Sequence, residues 1–331
     1  EPWMVFTGDA LFAGDAGRTD LLGMDRAREL AGALYESIFG RILPLGDGVL
    51  LWPAHGAGSA CGAGIASRER TTLGLERRLN PKLRLADREE FIDAAAKELP
   101  RPPYFREMER VNLVGGPAAE LPVLEPLAPD EFAGWLADAQ VLDARPAAAF
   151  AAAHVPGALS AWPDGVASFA GWFLDFDRPV ALVAGAGQER IIQRRLARLG
   201  FERLVGFLAG GIVAWLTAGR AAAATRTVTV GRLCEELDEG GDAVILDVRG
   251  REEAAAAGEI PGARLVPLTE LADRLDELDR EEELTVFCGT GLRSMIAASL
   301  LEQRVFRRVR VALGGLRGWR SRSCPVKLAS D

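Results

Sequence analysis

Short apolar runs that end on a chemically distinctive residue recur along this chain, and each reads as a buried strand with its C-terminal end at a turn. Trp3 to Gly8 runs into Asp9, and Val49 to Ala54 runs into His55. Val141-Leu142 ends on Asp143, Ile245-Leu246 on Asp247, and Leu284-Thr285-Val286-Phe287 on Cys288. The spacing then changes. Leu292 to Leu301 reads as a helix following Cys288, Ala147 to Ala153 as another, and Leu268, Leu271, Leu275 and Leu278 fall at the spacing of an amphipathic core helix. Glu281-Glu282-Glu283 reads as a solvated turn. Gly115-Gly116-Pro117 with Pro122, Pro126 and Pro129 marks an extended linker, and Ala218 to Thr225 a second break.

The pattern repeats. Asp143-Ala144-Arg145 recurs as Asp247-Val248-Arg249, 104 residues later. At the same order follow His154-Val155-Pro156-Gly157-Ala158 and Glu259-Ile260-Pro261-Gly262-Ala263, then Gly210-Gly211 with Trp215 and Gly314-Gly315 with Trp319. A unit of about a hundred residues is the size of a small domain. Cys288 is matched by Ala184, so the first copy has the loop without the thiol.

The run Cys288-Gly289-Thr290-Gly291-Leu292-Arg293 opens a tight strand-to-helix loop. Its glycines let backbone N–H groups turn inward, and a helix N-terminus adds partial positive charge, so the loop can stabilise a thiolate or persulfide. A Cys after a strand can also be a small buried hydrophobe; the glycines, Arg293 and the following helix favour the nucleophile. Cys61, Cys234 and Cys324 lack such surroundings and read as ordinary side chains.

From about residue 119 to 331 these motifs resemble the rhodanese family: an Asp-x-Arg strand end, a His-Ile-Pro-Gly-Ala segment, a Cys-led loop closing on Arg, and Gly-Gly-x-x-x-Trp. The resemblance implies an α/β fold with a central parallel sheet and a catalytic Cys that carries sulfane sulfur as a persulfide. By position the nucleophile is Cys288 and the substrate cradle is Gly289, Thr290, Gly291, Leu292 and Arg293. Glu259 stands where the family usually has His, in a segment taken as structural. Cys-dependent phosphatases place five residues between Cys and Arg, whereas four lie between Cys288 and Arg293. The tighter ring suits one sulfur atom, which weighs against a phosphatase or arsenate reductase. A sulfur-carrier or docking module without turnover stays open as the alternative.

The first third, with Thr7-Gly8-Asp9, the His55 strand, Thr72 to Pro81 and Pro102 to Phe105, resembles the C-terminal half of a metallo-β-lactamase-fold domain, closest to the persulfide dioxygenases. That family oxidises glutathione persulfide, or other low-molecular-weight persulfides, to sulfite at Fe(II). The resemblance implies that Asp9 is a metal ligand in an intact parent and that His55 lies near the metal, with Zn as a lesser alternative. The family's His-x-His-x-Asp-His lies upstream of the Asp strand, so the chain is expected to be a fragment that binds no metal. A two-His-one-carboxylate iron site needs two imidazoles, and the sequence has two His in all, of which His154 belongs to the first repeat.

Composition narrows the setting. Four unevenly spaced Cys do not suggest a disulfide framework, and a functional thiol suits a reducing, cytoplasmic compartment, while the family resemblance implies a place in hydrogen sulfide metabolism. No apolar run approaches membrane-spanning length, and a net charge of −8 gives no reason to expect nucleic acid. The expected architecture is α/β: a partial metallo-β-lactamase αββα domain over 1–118, a silent rhodanese-like domain over 119–222 with Ala184, and an active rhodanese domain over 226–331 with Cys288. The expected partners are thiosulfate and glutathione persulfide or related persulfides, with no membrane and with homo-oligomerisation left open.

Overall fold

The computed structural model describes residues 2–56, 59, 61–62, 64–85, 87–99, 101–115, 120–240, 244–322 and 324–326. The chain divides into two compact units, Glu1–Pro102 and Pro103–Asp331.

In the first unit, strands Met4–Gly8 and Leu50–Pro53 pair in parallel with Met4 opposite Leu50 and Phe6 opposite Trp52, and Thr71–Thr72 adds an antiparallel edge. Leu11, Ile38, Leu51, Leu73, Phe91 and Ile92 form its core with the helices Met24–Ser37 and Arg88–Ala95. Helix starts are fixed locally. The Thr72 hydroxyl accepts the Leu75 N–H, and the Asp87 carboxylate accepts those of Glu89 and Glu90. Glu76 is fully buried, yet Arg68, Thr71 and the Gly14 N–H all hydrogen-bond to it, so its charge is matched where it is desolvated.

The second unit contains the repeat as two five-stranded sheets, parallel throughout. The first runs in the order Pro126–Leu127, Leu204–Leu208, Val180–Val183, Gln140–Asp143, Leu159–Ser160, and the second in the order Arg226–Thr229, Val309–Leu313, Leu284–Phe287, Val244–Asp247, Arg264–Leu265. Both central strands are buried at every position, which is why they read as apolar runs, Thr285 being their one polar residue. The repeated motifs hold the strand ends. Arg145 and Arg249 each place Nη2 2.6 Å from the Oδ2 of the Asp two residues earlier, and each donates onward to a backbone carbonyl, of Ala153 and Gly258 respectively. Trp215 and Trp319 likewise donate their indole N–H to Ala221 O and Pro325 O.

The helix Leu292–Gln303 is buried around most of its circumference because it also packs on the first copy. Ser299 Oγ accepts the Ser160 N–H, Gln303 donates to Gly157 O, and Thr225 donates to Glu302 Oε2 at 3.1 Å. Glu302 lies 3.7 Å from His154 Nε2. Burial pushes its carboxyl up to about 7 against the Thr225 hydrogen bond. Burial also lowers His154, whose ring stacks on Phe150.

Four features differ from the sequence reading. The segment Leu268–Glu277 is a 3₁₀ helix; the three-residue steps from Leu268 to Leu271 and from Leu275 to Leu278 suit three residues per turn, and all four leucines are buried. Helix Tyr104–Val114, assigned by sequence to the first domain, belongs to the second compact unit, where the buried Tyr104 ring fills the space left by Gly171. Cys234 and Cys324, read as unpaired, form a disulfide with Cα atoms 6.1 Å apart, because helix Val230–Asp238 packs beside Gly315–Ser321. The fourth is Cys61, described with the site below. The linker residues Gly116 and Pro117, and the 118/119 boundary, lie outside the described residues. Among the described residues no helix is long and apolar enough to cross a membrane.

Candidate active site and metal cluster

Cys288 follows the strand Leu284–Phe287 and is fully buried. Its Sγ accepts the Gly291 N–H at 3.1 Å. Gly291 caps the 12-residue helix Leu292–Gln303 with a left-handed backbone, φ 97°, so the thiol sits at the positive end of that helix. The sequence-predicted cradle residues surround this turn. Thr290 is exposed at its tip, while Gly289, Leu292 and Arg293 are half-buried.

The Gly-Gly motif supplies the seat. Leu316 N–H donates to Cys288 O at 2.9 Å and Arg317 N–H to Gly289 O at 3.2 Å, tying the loop's carbonyls to the helix Gly315–Ser321. A Cβ on Gly315 would lie 2.3 Å from Cys288 O and 2.6 Å from Thr290 N. The close approach therefore requires glycine.

Arg293 does not stand alone. Its two terminal nitrogens meet the two carboxylate oxygens of Glu253 at 2.6 Å each. Burial, the largest single influence, works to raise the Glu253 carboxyl, but the hydrogen bonds and charge of Arg293, with the Gly250 N–H and Arg249, together outweigh it and leave it below its ordinary value. Burial would lower the Arg293 guanidinium, and Glu253, with smaller contributions from Cys288 and Asp247, instead holds it above its ordinary value. The sequence reading did not single out Glu253. Its signal was local: three residues after Gly250 it takes the position of a helix-capping Glu, accepting the Gly250 N–H at 3.4 Å.

The first copy departs at all three places. At the offset of 104 residues, Ala184 replaces Cys288, Ala149 replaces Glu253, and Glu189 replaces Arg293. Arg190 does not substitute for Arg293, since it donates to Pro122 O and Gln193.

In the first unit, Asp9 and His55 approach to 3.3 Å between Oδ1 and Nε2, as the parallel pairing of their strands dictates. Cys61 joins them, and the three donor atoms lie within 4.8 Å of one another, Asp9 and His55 exposed and Cys61 half-buried. Sequence spacing alone gave no ground for adding Cys61, since the Gly- and Ala-rich sequence around it carries no periodic pattern. A two-His iron set does not fit here: one imidazole is present, and His154 is buried in the second unit with its ring nitrogen on Phe150 O. Carboxylate, imidazole and thiolate together suit Zn²⁺ better than Fe²⁺.

A parallel α/β domain whose Cys sits at the N-terminus of a helix defines the class, and sequence comparison agrees. The profile of the rhodanese-like domain matches residues 128–218 and 230–322, more than half of the chain, which therefore belongs to the rhodanese-like domain family. A sulfurtransferase of Allochromatium vinosum is 29% identical over 94 residues, 28% of this chain and 87% of that protein. YrkF of Bacillus subtilis, named as a candidate sulfur carrier protein, is 35% identical over 85 residues, 26% of this chain and 45% of YrkF. A metallo-β-lactamase crystal structure from Staphylococcus aureus superposes with a TM-score of 0.52 at 26% identity, covering 62% of this chain and 57% of that one. The chain thus spans about half the length of YrkF and of the staphylococcal protein. The architecture is α/β, a metallo-β-lactamase-like unit followed by two rhodanese-like domains.

Proposed function

We propose that the second rhodanese-like domain is a sulfurtransferase with Cys288 as its nucleophile. The observation that carries this reading is the Cys288 Sγ held by the Gly291 N–H at a helix N-terminus, a position where negative charge carried by sulfur during the reaction, its proton given up to solvent, is met by the backbone dipole. The thiolate attacks the outer sulfur of thiosulfate or of a persulfide. The donor S–S bond breaks, sulfite or a thiolate departs with the electron pair, and a Cys288 persulfide forms. An acceptor such as cyanide, sulfite or glutathione then attacks the outer sulfur and returns Cys288 as thiolate. The sulfurtransferase among the relatives supports this class of reaction.

The first domain, with Ala184 and Glu189, forms no persulfide in this reading. Persulfide oxidation at iron, the activity that the dioxygenase resemblance implies for the first unit, would need a second imidazole beside Asp9 and His55. Asp9, His55 and Cys61 are the residues that would hold a divalent ion, which when bound would polarise a sulfur or oxygen ligand. The test is intact-mass spectrometry after exposure to thiosulfate or glutathione persulfide. Gain of one sulfur atom by the wild type and not by Cys288→Ala supports the assignment; steady-state turnover with cyanide separates a catalyst from a carrier, which would stop after one transfer.

A further inference from the structure

Building on the sulfurtransferase reading, we propose that Glu253 is a specificity-determining residue: by neutralising Arg293 it tunes the cradle toward persulfide donors, whose reacting end carries at most one negative charge, and against dianionic thiosulfate.

The geometry places the pair at the loop itself. A Cβ on Gly289 would lie 3.3 Å from Arg293 Nη2 and 3.4 Å from Glu253 Oε1, so the ion pair walls the turn next to the nucleophile. The contact is bidentate at 2.6 Å, with both side chains partly withdrawn from water. The Arg293 charge is thus met before any donor arrives. An anion then meets the helix N-terminus capped by Gly291, equivalent to roughly half an elementary charge. That suits one sulfur anion and leaves a dianion undercompensated beside the Glu253 carboxylate. The first copy supports treating the three residues as one device, since the nucleophile, the carboxylate and the guanidinium are replaced together by Ala184, Ala149 and Glu189.

Glu253→Gln removes the negative charge while leaving an oxygen that can accept the Gly250 N–H, so the helix start is kept. With cyanide as acceptor, kcat/KM for thiosulfate is expected to rise about tenfold, mainly through KM, while the value for glutathione persulfide changes less than about threefold. Glu253→Asp, which keeps the charge and shortens the side chain, should retain the wild-type donor ratio. Equal changes for both donors in Glu253→Gln, or a ratio shifted as far by Glu253→Asp, would show a merely structural role and overturn the inference.

A binding measurement separates this inference from the reading beneath it. Calorimetric titration of thiosulfate into Cys288→Ala and into Cys288→Ala/Glu253→Gln should show about tenfold tighter binding by the second. Equal affinities would overturn the charge assignment even if the enzyme turned over. Absence of transfer from either donor in the wild type would instead remove the sulfurtransferase reading and leave the titration to decide the cradle's charge. Should Glu253→Gln fail to fold, judged by circular dichroism, the salt dependence of wild-type kcat/KM decides: a neutralised cradle predicts a shallow slope for thiosulfate, and a steep fall with salt would contradict it.

Discussion

Replacing Gly315 with Ala should damage the sulfur cradle without touching any of its side chains. The new Cβ would lie 2.3 Å from Cys288 O, 2.6 Å from Gly289 C and 2.6 Å from Thr290 N, all backbone atoms that cannot rotate away. Gly315 also has φ 50°, a region costing a non-glycine residue about 1–2 kcal/mol. Forcing the loop from its seat adds about 1–3 kcal/mol, as overpacking of a tight interior does. The total of about 2–5 kcal/mol should lower the urea midpoint of the second unit by about 1 M. Sulfur transfer should fall further than stability alone explains, because the displaced carbonyls are those bonded by Leu316 and Arg317. Two other glycines calibrate the reasoning. Gly291→Ala meets nothing closer than 3.4 Å, so it should cost only the strain of its left-handed backbone, about 1–2 kcal/mol. Gly250 has φ −63° and open space around it, so Ala there should be nearly neutral. Urea melts and cyanide-coupled turnover on the three variants give the ranking. A Gly315→Ala protein as stable and active as Gly250→Ala would refute the idea that this contact seats the loop.

Other expectations follow from buried charge and from cysteine. Glu302 titrates near 7 in the folded chain, above its ordinary 4.5, so the native state holds the extra proton between those values and stability falls as pH rises through that window. Glu302→Gln should therefore flatten the dependence, gaining about 2–3 kcal/mol at pH 8 and little at pH 4; a pH series of urea melts checks it, and parallel curves would contradict it. Cys234→Ser should lower the melting temperature and abolish its sensitivity to dithiothreitol, since the lost cross-link closes 90 residues and contributes about 2–5 kcal/mol. Co²⁺ added to the chain should give a sulfur-to-metal charge-transfer absorption that disappears in Cys61→Ser while weaker binding through Asp9 and His55 persists; an unchanged spectrum would exclude Cys61 as a donor.

Strand positions were legible because parallel strands covered on both faces are mostly apolar, as Val180–Val183 is throughout and Leu284–Phe287 is but for Thr285, whose buried hydroxyl accepts from Arg310. The 104-residue offset exposed the repeat, and Asp247 with Arg249 and Trp319 now have structural reasons for recurring. What stayed hidden depends on residues that the sheet brings together from afar. Glu253 meets Arg293 across 40 residues, and Cys234 meets Cys324 across 90. Glu253 and the two cysteines have ordinary local readings, as a helix-capping carboxylate and small apolar thiols, and Arg293 reads as the end of the Cys288 loop; only the topology pairs them. Cys61 was hidden for a similar reason, since its loop carries no periodic pattern from which its approach to Asp9 could be read. Leu268 to Leu278 gave a true burial pattern and the wrong helix type, because spacings of three and four residues are compatible with both.

The central claim is that Cys288 carries sulfur, and the most direct measurement is the intact mass of the whole chain after treatment with thiosulfate or glutathione persulfide, wild type beside Cys288→Ala. The account predicts one added sulfur atom in the wild type, removed by cyanide, and none in the variant. Equal labelling of both proteins, or no labelling of either, would contradict it.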